Sequence, residues 1–110
     1  MESINVTADY PSASPYYGSG GASAEVTFFE NGDCTSDNQW LKKSNMTKII
    51  SWQIDTNYWG LSKKDFDLTI NIHTNGFTLA ITGKNSLEVA VPFFEKHLET
   101  LKKGPTSNIP

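Results

Sequence analysis

Histidine, cysteine and paired acids most often carry catalysis or hold metals, and this chain has two histidines and one cysteine. His73 falls on the polar face of an alternating run, beside a turn and opposite Thr78. His97 falls in an apolar arc at helical spacing, where a core-facing imidazole with satisfied nitrogens is expected. A sheet would separate the two, so they do not converge on one ion. Cys34 has no Cys-x-x-Cys or His-x-x-x-His companion, and no zinc site is expected. Its neighbours Asp33 and Asp37 would raise its pKa, which fits an inert structural thiol and not a nucleophile. Asp33, Asp37 and Asn38 lack the EF-hand spacing and read as turn-formers. Gly18-Ser19-Gly20-Gly21 is followed by neither a lysine nor a helix, so it is not a phosphate loop. No Gly-x-Ser-x-Gly elbow occurs. What is left for catalysis is Asp55, Asp65 or Asp67 near strand ends with His73, the makings of a small hydrolase. No metal and no cofactor are expected.

Composition narrows the classes further. The 110 residues suit one domain with one core, residues 1–110, and carry a formal charge of −3. All nine basic residues are lysines, so the bidentate group best suited to phosphate and guanine is missing. Nucleic acid is therefore not an expected partner. No apolar run reaches membrane-spanning length, and the first residues lack the basic and apolar regions of a signal peptide. With a single cysteine, a reducing, cytoplasmic setting is expected. Abundant Lys, Asn and Ile without Arg fit an AT-rich coding sequence, as in a low-GC bacterium or its phage.

The elements come next. Asp65 to His73 places apolar side chains on every second residue, and Phe77, Leu79 and Ile81 repeat the pattern. Asn75-Gly76 between them predicts a type I′ hairpin, with Ile72 facing Leu79 and Ile70 facing Ile81. Leu87, Val89 and Val91 read as a third strand after a Gly83-Lys84-Asn85 loop, with Asn85 in the left-handed position. Pro92 ends that strand and starts a helix over 92–103, apolar through Phe93, Phe94, His97, Leu98 and Leu101. Glu99 would pair with Lys103, and Gly104-Pro105 would end the helix.

Earlier in the chain, Glu2 to Tyr10 reads as a short edge strand through Ile4 and Val6. Residues 11–23 read as a Pro/Ser/Gly/Tyr-rich loop or arm, and 105–110 as a disordered tail. Ala24 to Glu30 alternates, and Asn31-Gly32 marks a turn. Thr35, Ser36 or Asp37 could cap a short helix through Trp40 and Leu41, or that segment could be a loop. Lys48 to Asp55 reads as a strand with Ile50, Trp52 and Ile54 inward. The sum is an α+β fold: a mostly antiparallel sheet of five or six strands, with a meander over 65–91 and one C-terminal helix packed on one face.

The aromatics outside the expected core carry the functional expectation. Tyr58, Trp59 and Leu61 lie in a connection, Phe29 points away from the core by alternation, and Tyr16 and Tyr17 lie in the arm. Aromatics on loops beside Asn, Ser and Gly match the makeup of binding surfaces. With catalysis and metal unsupported, the expectation is a non-enzymatic protein-binding module such as an inhibitor, immunity or accessory protein. A carbohydrate-binding module using the same aromatics is the alternative, and the small hydrolase is a third. The outer face of the meander (Thr69, Asn71, Thr78, Ala80, Thr82) or a sheet edge could also join two copies as a homodimer.

Overall fold

The hairpin predicted around Asn75-Gly76 forms in the expected register, with Ile72 opposite Leu79 and Ile70 opposite Ile81. It belongs to a computed structural model that describes residues 1–11, 21–58, 66–101 and 103; the side chains of 11, 21, 56–58, 66 and 67 lie outside that description. The elements are β1 (Ser3–Pro11), β2 (Gly21–Phe29), β3 (Cys34–Ser36), α1 (Gln39–Lys43), β4 (Ile49–Tyr58), β5 (Phe66–Thr74), β6 (Thr78–Ile81) and α2 (Lys84–Lys96). Six strands make one antiparallel half-barrel sheet in the order β3-β2-β1-β6-β5-β4, and the C-terminal helix completes an α+β fold.

Alternation decides which face is buried. Val6, Ala8 and Tyr10 of β1, Val26 and Phe28 of β2, and Trp52 of β4 point to one side. Ile70 and Ile72 of β5 and Leu79 and Ile81 of β6 join them. From α2, Ala90, Phe93 and Phe94 complete this core, with Leu87 and Val91 packed at its margin. The Phe94 ring lies 5.6 Å from that of Phe28 and 5.0 Å from that of Trp52. Flat strands about 4.8 Å apart would hold β2 and β4 roughly 19 Å from each other. One ring can touch both only because the sheet curls around α2.

The curl ends in a seam where the two edges of the sheet meet. Cys34 N–H donates to Thr47 O at 2.9 Å, and Ile49 N–H donates to Gly32 O at 2.8 Å, with Asp33 bridging Lys48. Asn75 holds the seam from the hairpin. Its Oδ1 accepts from the N–H of Thr47 (2.9 Å) and of Lys48 (3.1 Å), and its Nδ2 donates to Thr47 Oγ1 (2.9 Å). This also corrects the expected turn chemistry. Positive φ occurs among the described residues at Asn45 and Gly32, not at Asn75 or Gly76, so the turn is not type I′. Glycine is needed at 76 for space: a Cβ there would sit 2.6 Å from Ser44 Oγ and 3.0 Å from Met46 Cβ.

Several further expectations are corrected. Residues 3–11 form an interior strand, paired with β2 along its length and with β6 at Asp9–Ala80, and not an edge. That pairing overturns the third meander strand. With β1 on the free edge of β6, Leu87 to Val91 has no ladder to join and becomes part of α2. Leu87, Ala90, Val91 and Phe94 then share a helical face, whereas Val89, expected inward, is 47% exposed. The helix thus spans 84–96 and not 92–103; Asn85 lies inside it, and Pro92 is accommodated on its exposed side. Leu98 lies beyond the helix and is exposed, and Lys103 pairs with Glu95 instead of Glu99. Gly104-Pro105, like the tail 105–110, lies outside the described residues, as does 12–20; β2 already begins at Gly21. Ile50 is 55% exposed because a bulge between Ile49 and Ser51 shifts the register by one residue.

Replacing Asn75 with alanine should lower unfolding free energy by about 0.5–1.5 kcal/mol, since two exposed seam amides exchange their side-chain acceptor for water. Urea unfolding measures it, and Asn75→Asp, which keeps the acceptor oxygen, should lose less than the alanine variant.

Candidate functional site

The chemical candidates are dispersed. Cys34 is buried, and burial, with Asp33 second, pushes its thiol up to about 12, so it is inert as expected. His73 pairs with Thr78 as predicted, whereas Asp55 pairs with Thr69, four positions along the same strand. At about 3.3 Å per residue the two are roughly 13 Å apart, beyond hydrogen-bond reach. Asp65 and the Asp67 side chain lie outside the described residues. Among the described residues no three His, Cys, Asp or Glu side chains gather as metal ligands would. Asp33 instead bonds the Asn31 side chain, and Asp37 reaches Lys42 at 3.9 Å, as turn and surface acids do.

His97 has the largely buried, hydrogen-bonded imidazole that its sequence position suggests, but it stands at the end of the helix and not within it. It terminates α2, and its Nε2 sits 2.6 Å from Glu2 Oε1, with Nδ1 3.9 Å from Glu30 Oε2. Lys96 adds a second contact to Glu2 at 3.1 Å. The imidazole edge packs on Phe93 with ring centres 5.0 Å apart. This cluster ties the start of β1 to the end of α2 as a structural clasp.

The sequence-derived binding residues fall mostly outside the described residues: Trp59, Leu61, Tyr16 and Tyr17, together with the Tyr58 side chain. Tyr58 itself ends β4, paired with Phe66. Phe29 ends β2 opposite Ser3; it is half-buried and not among the packed core residues, as alternation indicated.

What the sequence reading missed is Trp40, 56% exposed on α1. The helix that presents it is short but well anchored. Asn38, not Thr35, Ser36 or Asp37, is the cap: its Oδ1 accepts from Trp40 N–H (2.9 Å) and Leu41 N–H (3.2 Å). Asn38 is fixed in turn, donating through Nδ2 to the Tyr10 hydroxyl at 3.1 Å and through its own N–H to Ser36 Oγ. Leu41 is buried, and adjacent helical positions face different sides, so Trp40 is turned outward. Lys43 lies over its ring, 5.3 Å from the centre. The sequence held only a partial signal: Trp40 and Leu41 stand on different sides of one short helix, and Leu41 is the one that meets the core. Exposed Ile50 lies just past the other end of the seam segment 45–48.

An apolar groove of about 570 Å³ lies between Leu68 and the Leu87, Val91 and Pro92 side of α2, with Lys84 and Glu88 at its rim. Scans of protein-family models, of curated proteins and of solved structures find no match to this chain, so the functional reading rests on its own geometry.

The clasp makes a pH prediction. His97 and then Lys96, as hydrogen-bond donors, hold the Glu2 carboxyl below its ordinary value of 4.5. A depressed folded pKa contributes stability that is present above the unfolded value and lost as pH falls through the folded one. Glu2→Gln should therefore lower the melting temperature at pH 7, and the gap to wild type should close below the ordinary glutamate range. Melting curves across pH 3 to 7, on the order of the span that brackets that range, measure it.

Proposed function

We propose that the chain is a small protein-binding module, of the inhibitor, immunity or accessory kind, acting by occupying a macromolecular partner in a reducing, cytoplasmic setting. The observation that carries this reading is Trp40, a half-exposed tryptophan held rigidly by a capped helix and a cation above its ring. Tryptophan on a fixed support is the side chain most enriched at binding hot spots, because little rotamer freedom is lost on docking. Exposed Ile50 near the start of β4 and half-buried Phe29 at the end of β2 add further apolar surface. Tyr58, Trp59 and Leu61, at and beyond the far end of β4, remain candidates for the same role, as do Tyr16 and Tyr17.

Affinity capture from a bacterial host lysate, read by mass spectrometry, tests it with Trp40→Ala beside wild type. Trp40→Ala should change unfolding free energy by no more than about 0.5 kcal/mol, as surface substitutions do, and should lose the captured macromolecule. Equal capture by a folded Trp40→Ala variant would remove Trp40 from the binding surface. Quenching of tryptophan fluorescence by oligosaccharides would instead favour carbohydrate binding.

A further inference from the structure

Asp55 is a buried acid whose place the core does not explain. It lies in β4 between Ile54, which packs against the core, and Thr56, on the sheet face away from Trp52, and is 6% exposed. Its Oδ2 accepts from Asn71 Nδ2 and, at 3.3 Å, from Gln53 Nε2. Its Oδ1 is closed to solvent and has no hydrogen-bond partner among the described residues. An unpaired buried carboxylate oxygen costs more than an ordinary hydrogen bond returns. None of the ion pairs among the described residues includes Asp55.

We propose that Asp55, oriented by Asn71 and Gln53, is a receptor for a primary ammonium group, presented by a lysine of the protein partner. The partner part of this inference rests on the protein-binding reading above; the receptor part does not. An ammonium carries three donors, one positive charge and no acceptor. The site offers the complement in Oδ1, unpartnered among the described residues and carrying the carboxylate charge, while the NH2 groups of Asn71 and Gln53 hold the other oxygen, Oδ2, and so orient the carboxylate. A hydroxyl would satisfy Oδ1 but leave the buried charge unbalanced. A calcium ion would require several more oxygen ligands than one carboxylate supplies. Access follows from position. The outer edge of β4 is taken at Ile49 by the seam and at Trp52 by a bridge to Lys103, and past Trp52 no further bridge to it occurs among the described residues, so an incoming chain would approach there. The longer of the two Oδ2 contacts belongs to half-buried Gln53, whose side chain can swing aside to admit the ligand. The net charge of −3 favours a cationic visitor at longer range.

The test follows the side-chain amide signals of Asn71 and Gln53 by NMR while n-butylamine, n-butanol or a short peptide with one lysine is added. Butylamine should give a saturable shift at both amides and butanol none. Asp55→Asn should weaken butylamine binding by about tenfold or more, the cost of losing one charged acceptor. If Asp55→Asn does not fold, Gln53→Met, which removes the amide that orients the Asp55 carboxylate at a half-buried position, should weaken binding in the same direction. The lysine peptide should bind more tightly than butylamine; a peptide that does not would overturn the partner-lysine assignment. No shift with butylamine, or an equal shift in the variants, overturns the receptor itself. Butylamine binding seen only after Lys63→Ala/Lys64→Ala would give the site to the chain's own lysines and overturn the inference. These outcomes need no partner, so they stand apart from the capture experiment.

Discussion

The seam between residues 32–34 and 47–49 is the constraint on which the other features depend. An antiparallel sheet of six strands would ordinarily leave two open edges and one uncovered face. Here the backbone bonds from Cys34 to Thr47 and from Ile49 to Gly32 draw the edges together at one end, and Asn75 brackets the join from the neighbouring hairpin. A single helix can then serve as the filling. Phe94 touches Phe28 near one end of the strand order and Trp52 at the other. Trp52 is further tied by its Nε1–H to Leu101 O at 3.0 Å, which anchors the chain after α2. Loosening the seam would separate the aromatic rings that α2 joins.

The same constraint decides what is left for function. Among the described residues the chemistry-bearing side chains lie apart from one another. His97 is drawn into a clasp with Glu2, and Cys34 is sealed beneath the seam. The short segment that closes the sheet carries Trp40 on one flank and Ile50 on the other, and both stand out from the surface. Along the opposite sheet face the polar rows of β4, β5 and β6 are mostly Thr, Asn and Gln, and Asp55 is the buried charge among them.

How much of this was legible in the sequence depended on the range of the interactions involved. The β5–β6 hairpin was readable because alternation and turn length are local, and a one-residue slip would have exposed Ile70 and Ile72. The third strand was misread because Leu87, Val89 and Val91 alternate well enough to look like one. Their fate was settled by a contact far away in sequence, β1 taking the edge of β6 at Asp9–Ala80. Ile50 was misplaced for a similar reason, since a bulge leaves no mark on the hydrophobic pattern. Asn75 was recognised as a turn residue, yet its bonds to Thr47 and Lys48 depend on a fold that brings together residues 27 and 28 apart. At the candidate site, Phe29 was legible from alternation, while Trp40 was hidden by grouping it with its buried neighbour Leu41. Asp55 was noticed as an acid near a strand end; its burial and unpartnered oxygen follow from tertiary packing alone.

Amide hydrogen exchange at Cys34 and Ile49 tests the seam most directly. Their N–H groups belong to the two edges of the sheet and would be free in an open one. The closed half-barrel predicts protection close to that of interior β5 amides such as Ile72. Exchange as fast as that of the exposed turn residue Asn31 would show that the edges do not meet, and would contradict the account.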